Sequence, residues 1–229
     1  MYNIDKVFFQ GFSPQTLDFL RRLERNNDKK WFTENREKYV KNVAEPMKSL
    51  AASLVPIVSE LDPHIVTDPK RIVSRIYRDT RFSKDKTPYW THPWMAFRRP
   101  LENWFHVPTY FFEIHKEGYT FGMNIFRPSS TTMRRFRNKI DDAPEDFEKL
   151  IAPVHRSRSL KLETEKYKRC LPCEYTEPVF SWYQSRYVEV ICRRKPDKTL
   201  YSSKLLDLTA DGFVRLKPLY DFLWSCVVI

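Results

Sequence analysis

The sequence predicts an α+β protein: a helical N-terminal part packed on a central antiparallel sheet, with further helices in the C-terminal half. Three observations point there. About the first sixty residues place apolar side chains at helical spacing, residues 109–126 switch to aromatic and β-branched runs around a glycine turn, and helical spacing then returns. Residues 1–229 carry no repeat, no low-complexity tract and no clear linker, so they are read as one α+β domain.

The elements follow in order. Ser13 is placed to cap a helix carrying Leu17, Phe19, Leu20 and Leu23, with Pro14 in its first turn and Asn26-Asn27 at its end. Asp28 caps a second, with Trp31, Phe32, Tyr39 and Val43; the Trp31-Phe32 pair reads as core rather than ligand stack. Pro46 starts or kinks a third, with Met47, Leu50, Leu54 and Val58 on one face. Residues 62–70 read as a polar loop. Ile72, Val73, Ile76 and Tyr77 are too short a run to settle the period, and loop follows from Asp79. Thr109–His115 and Tyr119–Phe126, joined by Lys116-Glu117-Gly118, make an antiparallel hairpin. Ser129 and Ser130 cap a helix through Met133, Phe136 and Ile140, and Pro144 opens another through Phe147, Leu150 and Ile151. Residues 156–180 read as irregular with short strands, and a last helix as Thr209 to Trp224.

The chain holds 40 Lys and Arg against 29 Asp and Glu, a net charge of +11, which favours acidic partners: nucleic acid, phosphorylated small molecules or a membrane surface. No apolar run reaches membrane-spanning length, so no membrane partner is expected. Met1–Lys6 lacks the apolar stretch of a signal peptide, and four cysteines do not make a disulfide scaffold. A cytoplasmic protein with reduced thiols is the expectation. Four glycines, with neither G-x-G-x-x-G nor G-x-x-x-x-G-K-[ST], exclude the two commonest nucleotide loops.

The charge is concentrated. Residues 71–99 hold eight bases against two acids, six of the eleven net charges. Within residues 75–90, Arg75, Arg78, Arg81, Lys84 and Lys86 supply cations, Ser83, Thr80 and Thr87 supply hydroxyls, and Asp79 and Asp85 can orient the arginines or hold a metal. Guanidinium groups bind phosphate and carboxylate through two hydrogen bonds at once, and ammonium groups act as point charges. Such a loop can enclose an anion without glycine. The competing reading is an internal network pairing Asp79 with Arg75 or Arg81, and Asp85 with Lys84 or Arg81; a solvated basic face is a third.

At this point the stretch becomes recognisable. Arg78-Asp-Thr-Arg-Phe-Ser-Lys-Asp-Lys-Thr-Pro-Tyr89 resembles the hallmark of domain-of-unknown-function family 2461. Gly11-Phe12, Leu17-Asp-Phe-Leu20 and Asn26-Asn-Asp-Lys-Lys-Trp-Phe32 look like its N-terminal signature, with Arg36, Tyr39 and Pro46 in register. The hairpin, the Arg137-x-x-Ile140 helix and Lys217-Pro-Leu-Tyr-Asp-Phe-Leu223 are also similar. The resemblance implies a bacterial or fungal α+β protein of one domain and brings no activity with it. The family tends to be glycine-rich in the second hairpin strand, where this chain reads Phe121-Gly-Met-Asn-Ile-Phe126. A fixed order of Asp79, Ser83, Asp85, Pro88 and Tyr89 suits a site or a tightly tied loop better than a solvated face. The ligand-binding set is accordingly Arg75, Arg78, Asp79, Arg81, Ser83, Lys84, Lys86, Thr87 and Tyr89.

Other motifs carry less. Cys170-Leu-Pro-Cys173 has the spacing of zinc or disulfide-exchange sites, but no second C-x-x-C exists; it reads as two thiols beside a proline turn, and no metal site is expected. Of five histidines, none forms H-E-x-x-H; His92, nearest the basic loop, is the best candidate acid or base if the protein is an enzyme, and His115 can face either side of its strand. Trp90, Trp94, Phe97, Trp104 and Phe105 interleave with Arg98 and Arg99 as single-stranded nucleic acid requires, although a chain this aromatic puts most rings in its core. The expected function is binding of a small phosphorylated or carboxylated ligand by the loop; a nucleic-acid module and a structural or interaction domain held by internal ion pairs are the alternatives. No nucleophile–base pair stands out, so whether the chain is an enzyme, which reaction it runs, which cofactor it uses and its oligomeric state are not readable.

Overall fold

The computed structural model describes residues 8–227; Met1–Lys6, read above for a signal peptide, lies outside them. The fold is α+β as expected. Its helices are α1 (Pro14–Arg25), α2 (Lys29–Tyr39), α3 (Glu45–Leu61), α4 (Pro69–Ile72), α5 (Ser130–Asp142), α6 (Pro144–Arg156), α7 (Val179–Tyr183) and α8 (Lys204–Trp224). The strands are β1 (Trp94–Phe97), β2 (Thr109–His115), β3 (Gly118–Ile125), β4 (Leu160–Glu163) and β5 (Val188–Arg194), in one antiparallel sheet of order β1-β2-β3-β5-β4. β4 and β5 pair with Leu160 opposite Cys192 and Glu163 opposite Glu189. No helix among the described residues is long and apolar enough to cross a membrane.

By contact density the chain divides into two units. The first holds the residues up to Phe97 with Phe112–Thr120 and Arg194–Ala210. Ser13 caps α1, and the Asp28 carboxylate accepts from the Trp31 N–H at 2.9 Å to start α2. Leu17, Leu20 and Leu23 of α1 and Met47, Leu50 and Leu54 of α3 are buried, as are Phe112 and Ile114 of β2. Phe12 stacks on Phe112 with centroids 5.9 Å apart. Phe32 is buried in the core, as expected, and Trp31 packs at 5.6 Å from Phe19.

Pro46 is the second residue of α3, in the first turn, as expected of a proline that starts a helix. A π turn, Val40–Ala44, carries α2 into α3. Proline has no N–H, so the Asn42 carbonyl, four residues back, loses its helical donor. The fully buried Thr16 hydroxyl donates to that carbonyl at 2.6 Å. An acceptor that has lost its i+4 donor is thus satisfied from α1, which joins the two helices at the point of irregularity.

The second unit comprises Arg98–Phe111, Phe121–Arg193 and the residues from Asp211. Its core is aromatic: Tyr110 stacks on Tyr220 at 4.5 Å, and Phe147 meets Trp182 and Phe136 edge-on at 5.9 and 5.6 Å. Ser129 caps α5 by accepting from the Thr132 N–H at 3.0 Å.

Two helical boundaries and two strands differ from expectation. α8 begins at Lys204, not Thr209. Thr209 is buried inside the helix and its hydroxyl donates back to the Leu205 carbonyl at 2.8 Å, four residues earlier. Residues 69–72 form the short α4, capped by Asp68, within what reads as loop. β1 and β5 were not expected as strands; β4 is one of the short strands expected in 156–180.

Candidate functional site

The basic stretch is a loop with a closed neck and an open tip. Tyr77 and Tyr89 form an antiparallel bridge, the Arg78 N–H donates to the Pro88 carbonyl at 2.9 Å, and the Trp90 N–H to the Ile76 carbonyl at 2.8 Å. Ends this close make the intervening residues an Ω-type loop. The neck is fixed from α1–α2. The Asn27 side-chain amide accepts from the Tyr89 N–H at 3.1 Å and donates to the Tyr89 carbonyl at 2.9 Å. Phe32 stacks on the Tyr89 ring at 4.1 Å. Asn-Asn-Asp-Lys-Lys-Trp-Phe and the loop motif, far apart in sequence, therefore form one structural unit.

Three of the nine sequence-predicted residues build the neck. Arg78 donates from one guanidinium nitrogen to Asp85 and to the Thr87 hydroxyl, and lies 4.8 Å over the Trp90 ring. Its side chain is only 13% exposed. The Asp85 carboxylate also accepts from the Thr87 N–H and hydroxyl, each at 2.9 Å. The sequence offered Lys84 or Arg81 as the partner of Asp85; the structure pairs it with Arg78. Tyr89 is buried against Phe32 and Tyr77, so its ring is part of the core. Burial and the neighbouring Tyr77 push the Tyr39 hydroxyl up to about 12, so Tyr39 is uncharged.

The rest face outward. Asp79 accepts from Arg81 in a two-pronged pair at 2.6 and 3.0 Å, one of the pairings expected, with the Arg81 side chain 77% exposed. Lys86 donates to the Thr80 carbonyl at 2.9 Å. Arg75 and Lys84 are exposed, Ser83 is half-buried, and Phe82 at the tip is 96% exposed.

Both loop carboxylates sit well below the usual carboxylate range, at about 2. Asp79 is held down by its hydrogen bonds to Arg81, and Asp85 first by the Thr87 N–H, then by Arg78. A depressed carboxylate pKa contributes stability above the unfolded value and loses it as pH falls through the folded one. The neck is therefore expected to stay closed from pH 7 to about 4 and to open between about 4 and 2. The Trp90 indole N–H resonance reports this; a shift beginning above pH 5 contradicts the assignment.

His92 lies beside the neck but in different chemistry. The Ile114 N–H donates to the Pro93 carbonyl at 3.0 Å, which brings residues 91–92 against β2. There a cleft of about 280 Å³ is lined by Glu24, Thr91, His92, Glu113, His115, Lys116 and Glu117. His115 faces this side, opposite the buried Phe112 and Ile114. Lys116 pairs with Glu24 at 2.5 Å and Glu117 at 3.3 Å, and Glu117 also meets His115 at 3.2 Å. Burial, with the charges of Arg78 and His115 behind it, lowers the His92 pKa below its ordinary value, so the imidazole is neutral at pH 7 and able to accept a proton. Three carboxylates against one ammonium make this cleft unlike an anion site. Among the described residues no group of three or more His, Cys, Asp or Glu side chains is placed to hold a metal ion.

Trp90 and Asn27 were missed as parts of the site. The signal for Asn27 was its place in the N-terminal motif; that for Trp90 was its position just past the bridge, one residue beyond Tyr89 as Arg78 is one beyond Tyr77. The family model described as "Conserved hypothetical protein (DUF2461)" matches residues 15–222, and no curated protein matches the chain. The chain belongs to that family.

Proposed function

We propose that this family member binds an anionic ligand through the loop between Tyr77 and Tyr89, in the first reading a small phosphorylated or carboxylated molecule. The observation that carries the proposal is the charge balance of the loop. Asp85 and Asp79 are each already held by Arg78 and Arg81. Within the loop the cations of Lys84 and Lys86 are thus left beyond its own acids, Arg75 stands just outside the neck, and all three residues are exposed. The neck is rigid, so little ordering cost attends binding at the tip.

A nucleic-acid ligand is the second reading, favoured by Phe82 and by Tyr77, which is 59% exposed. An uncovered ring among cations suits base stacking beside phosphate contacts.

The test is titration of phosphate, sugar phosphates, dicarboxylates and a short single-stranded oligonucleotide at low salt into wild type and Lys84→Ala/Lys86→Ala. The double variant is expected to bind at least about fivefold more weakly with its melting temperature unchanged, and for the oligonucleotide to lower the salt slope by about two. An additional loss in Phe82→Ala selects the nucleic-acid reading. Equal binding by wild type and double variant, or no binding across the panel, overturns the proposal.

A further inference from the structure

The second unit carries a cationic cleft far in sequence from the loop. It encloses about 720 Å³ and is lined by Tyr167, Lys168, Arg169, Leu171, Pro172 and Arg186, with Cys170 also on its wall and no carboxylate among the lining side chains. We propose that this cleft is a binding site for a multiply charged oxyanion of the phosphate type.

The cleft is built rather than accidental. The wall Lys168–Pro172 has no regular secondary structure, and charged side chains on such a segment would ordinarily spread into solvent. Here Gln184, buried at 2% exposure, grips it: its carboxamide oxygen accepts from the Leu171 N–H at 2.8 Å and its nitrogen donates to the Leu171 carbonyl at 2.9 Å. The same nitrogen reaches the Cys173 sulfur at 3.4 Å. Lys166 and Ser185 form an antiparallel bridge, and the Arg186 N–H donates to the Glu165 carbonyl at 2.8 Å, which brings Arg186 to the opposite wall. Tyr167 is backed by the Arg137 guanidinium at 5.2 Å, itself fixed by the Tyr183, Ser185 and Met133 carbonyls.

The Cys170-Leu-Pro-Cys173 motif finds its use here. Both thiols are free, and what the segment contributes is Leu171, pinned between them so that Lys168 and Arg169 are held on one wall. Glu165 pairs with Arg186 at 2.8 Å on a surface where both side chains are more than half exposed. Such a pair exchanges readily for a stronger anion. Three cations on two walls match an oxyanion with charge on several oxygens better than a single carboxylate, and the two arginines provide forked donors for it.

The test is calorimetric titration of inorganic pyrophosphate, and of acetate as a monoanion, into the full chain at low salt. Wild type is expected to bind pyrophosphate saturably and at least tenfold more tightly than acetate. Lys168→Ala/Arg169→Ala should weaken pyrophosphate at least tenfold with an unchanged melting temperature, while Lys84→Ala/Lys86→Ala should leave it within twofold. The cleft and the loop share no residue, so loss in the loop variant alone, or equal binding by Lys168→Ala/Arg169→Ala and wild type, overturns the inference without touching the loop reading; no saturable binding at all overturns it as well.

Discussion

Gly122→Ala is expected to destabilise the protein by on the order of 3 kcal/mol and to lower its melting temperature by roughly 10 °C. A Cβ at this position of β3 would stand 2.0 Å from the Val190 carbonyl oxygen and 2.9 Å from the Ile191 Cα. Both are backbone atoms of the neighbouring β5, so no rotamer change relieves the clash; the strands themselves must part. Gly212→Ala is the control. Its Cβ meets only the Phe121 ring, at 2.5 Å, and alanine is the better helix former, so a smaller loss is expected. Paired thermal melts check both, and a Gly122→Ala melt within about 2 °C of wild type contradicts the strand contact. The same contact explains why glycine sits in this strand: its missing side chain admits β5, with no ligand required.

Arg78→Ala is expected to lower the melting temperature by roughly 5 °C, whereas Arg81→Ala leaves it within about 1 °C. The two arginines are three residues apart and each pairs with an aspartate, yet their surroundings differ. Arg78 is largely covered, lies on Trp90 and also holds Thr87, so truncation opens the neck and exposes an indole face. Arg81 and Asp79 pair in open solvent, where ion pairs contribute little. Arg78→Lys should fall between, since an ammonium keeps the charge but cannot lie flat on the ring while reaching both partners. Equal melting temperatures for the Arg78 and Arg81 variants would contradict the division of the loop into neck and tip.

Most of the helices were legible because their ends carry chemistry: Ser13, Asp28 and Ser129 as caps, Pro14 and Pro144 in first turns. The hairpin was legible from composition and Gly118. β1 was not, because its four residues are held by partners remote in sequence, Val73 bridging Met95 and Ile114 reaching Pro93. α8 was begun five residues late: Lys204 to Leu208 belong to the helix, and the buried Thr209 hydroxyl bonds back to the Leu205 carbonyl inside it. In the loop, the abundance of cations was plain, but which of them the loop's own acids engage depends on the Tyr77–Tyr89 bridge and on Asn27, neither of which a charge pattern reveals. The same limit applied to His92: nearness to the basic loop in sequence suggested a shared site, while the fold sets its imidazole in a cleft with Glu24, Glu113 and Glu117.

The measurement that tests the loop most directly is amide chemical-shift mapping of the labelled full chain during titration with the tightest anion of the panel. The account predicts the largest, saturable perturbations at residues 80–84 and Lys86, with the neck at Arg78, Thr87, Tyr89 and Asn27 nearly unmoved. Perturbations confined to other residues, or a loop whose signals do not respond while the ligand binds, would contradict it.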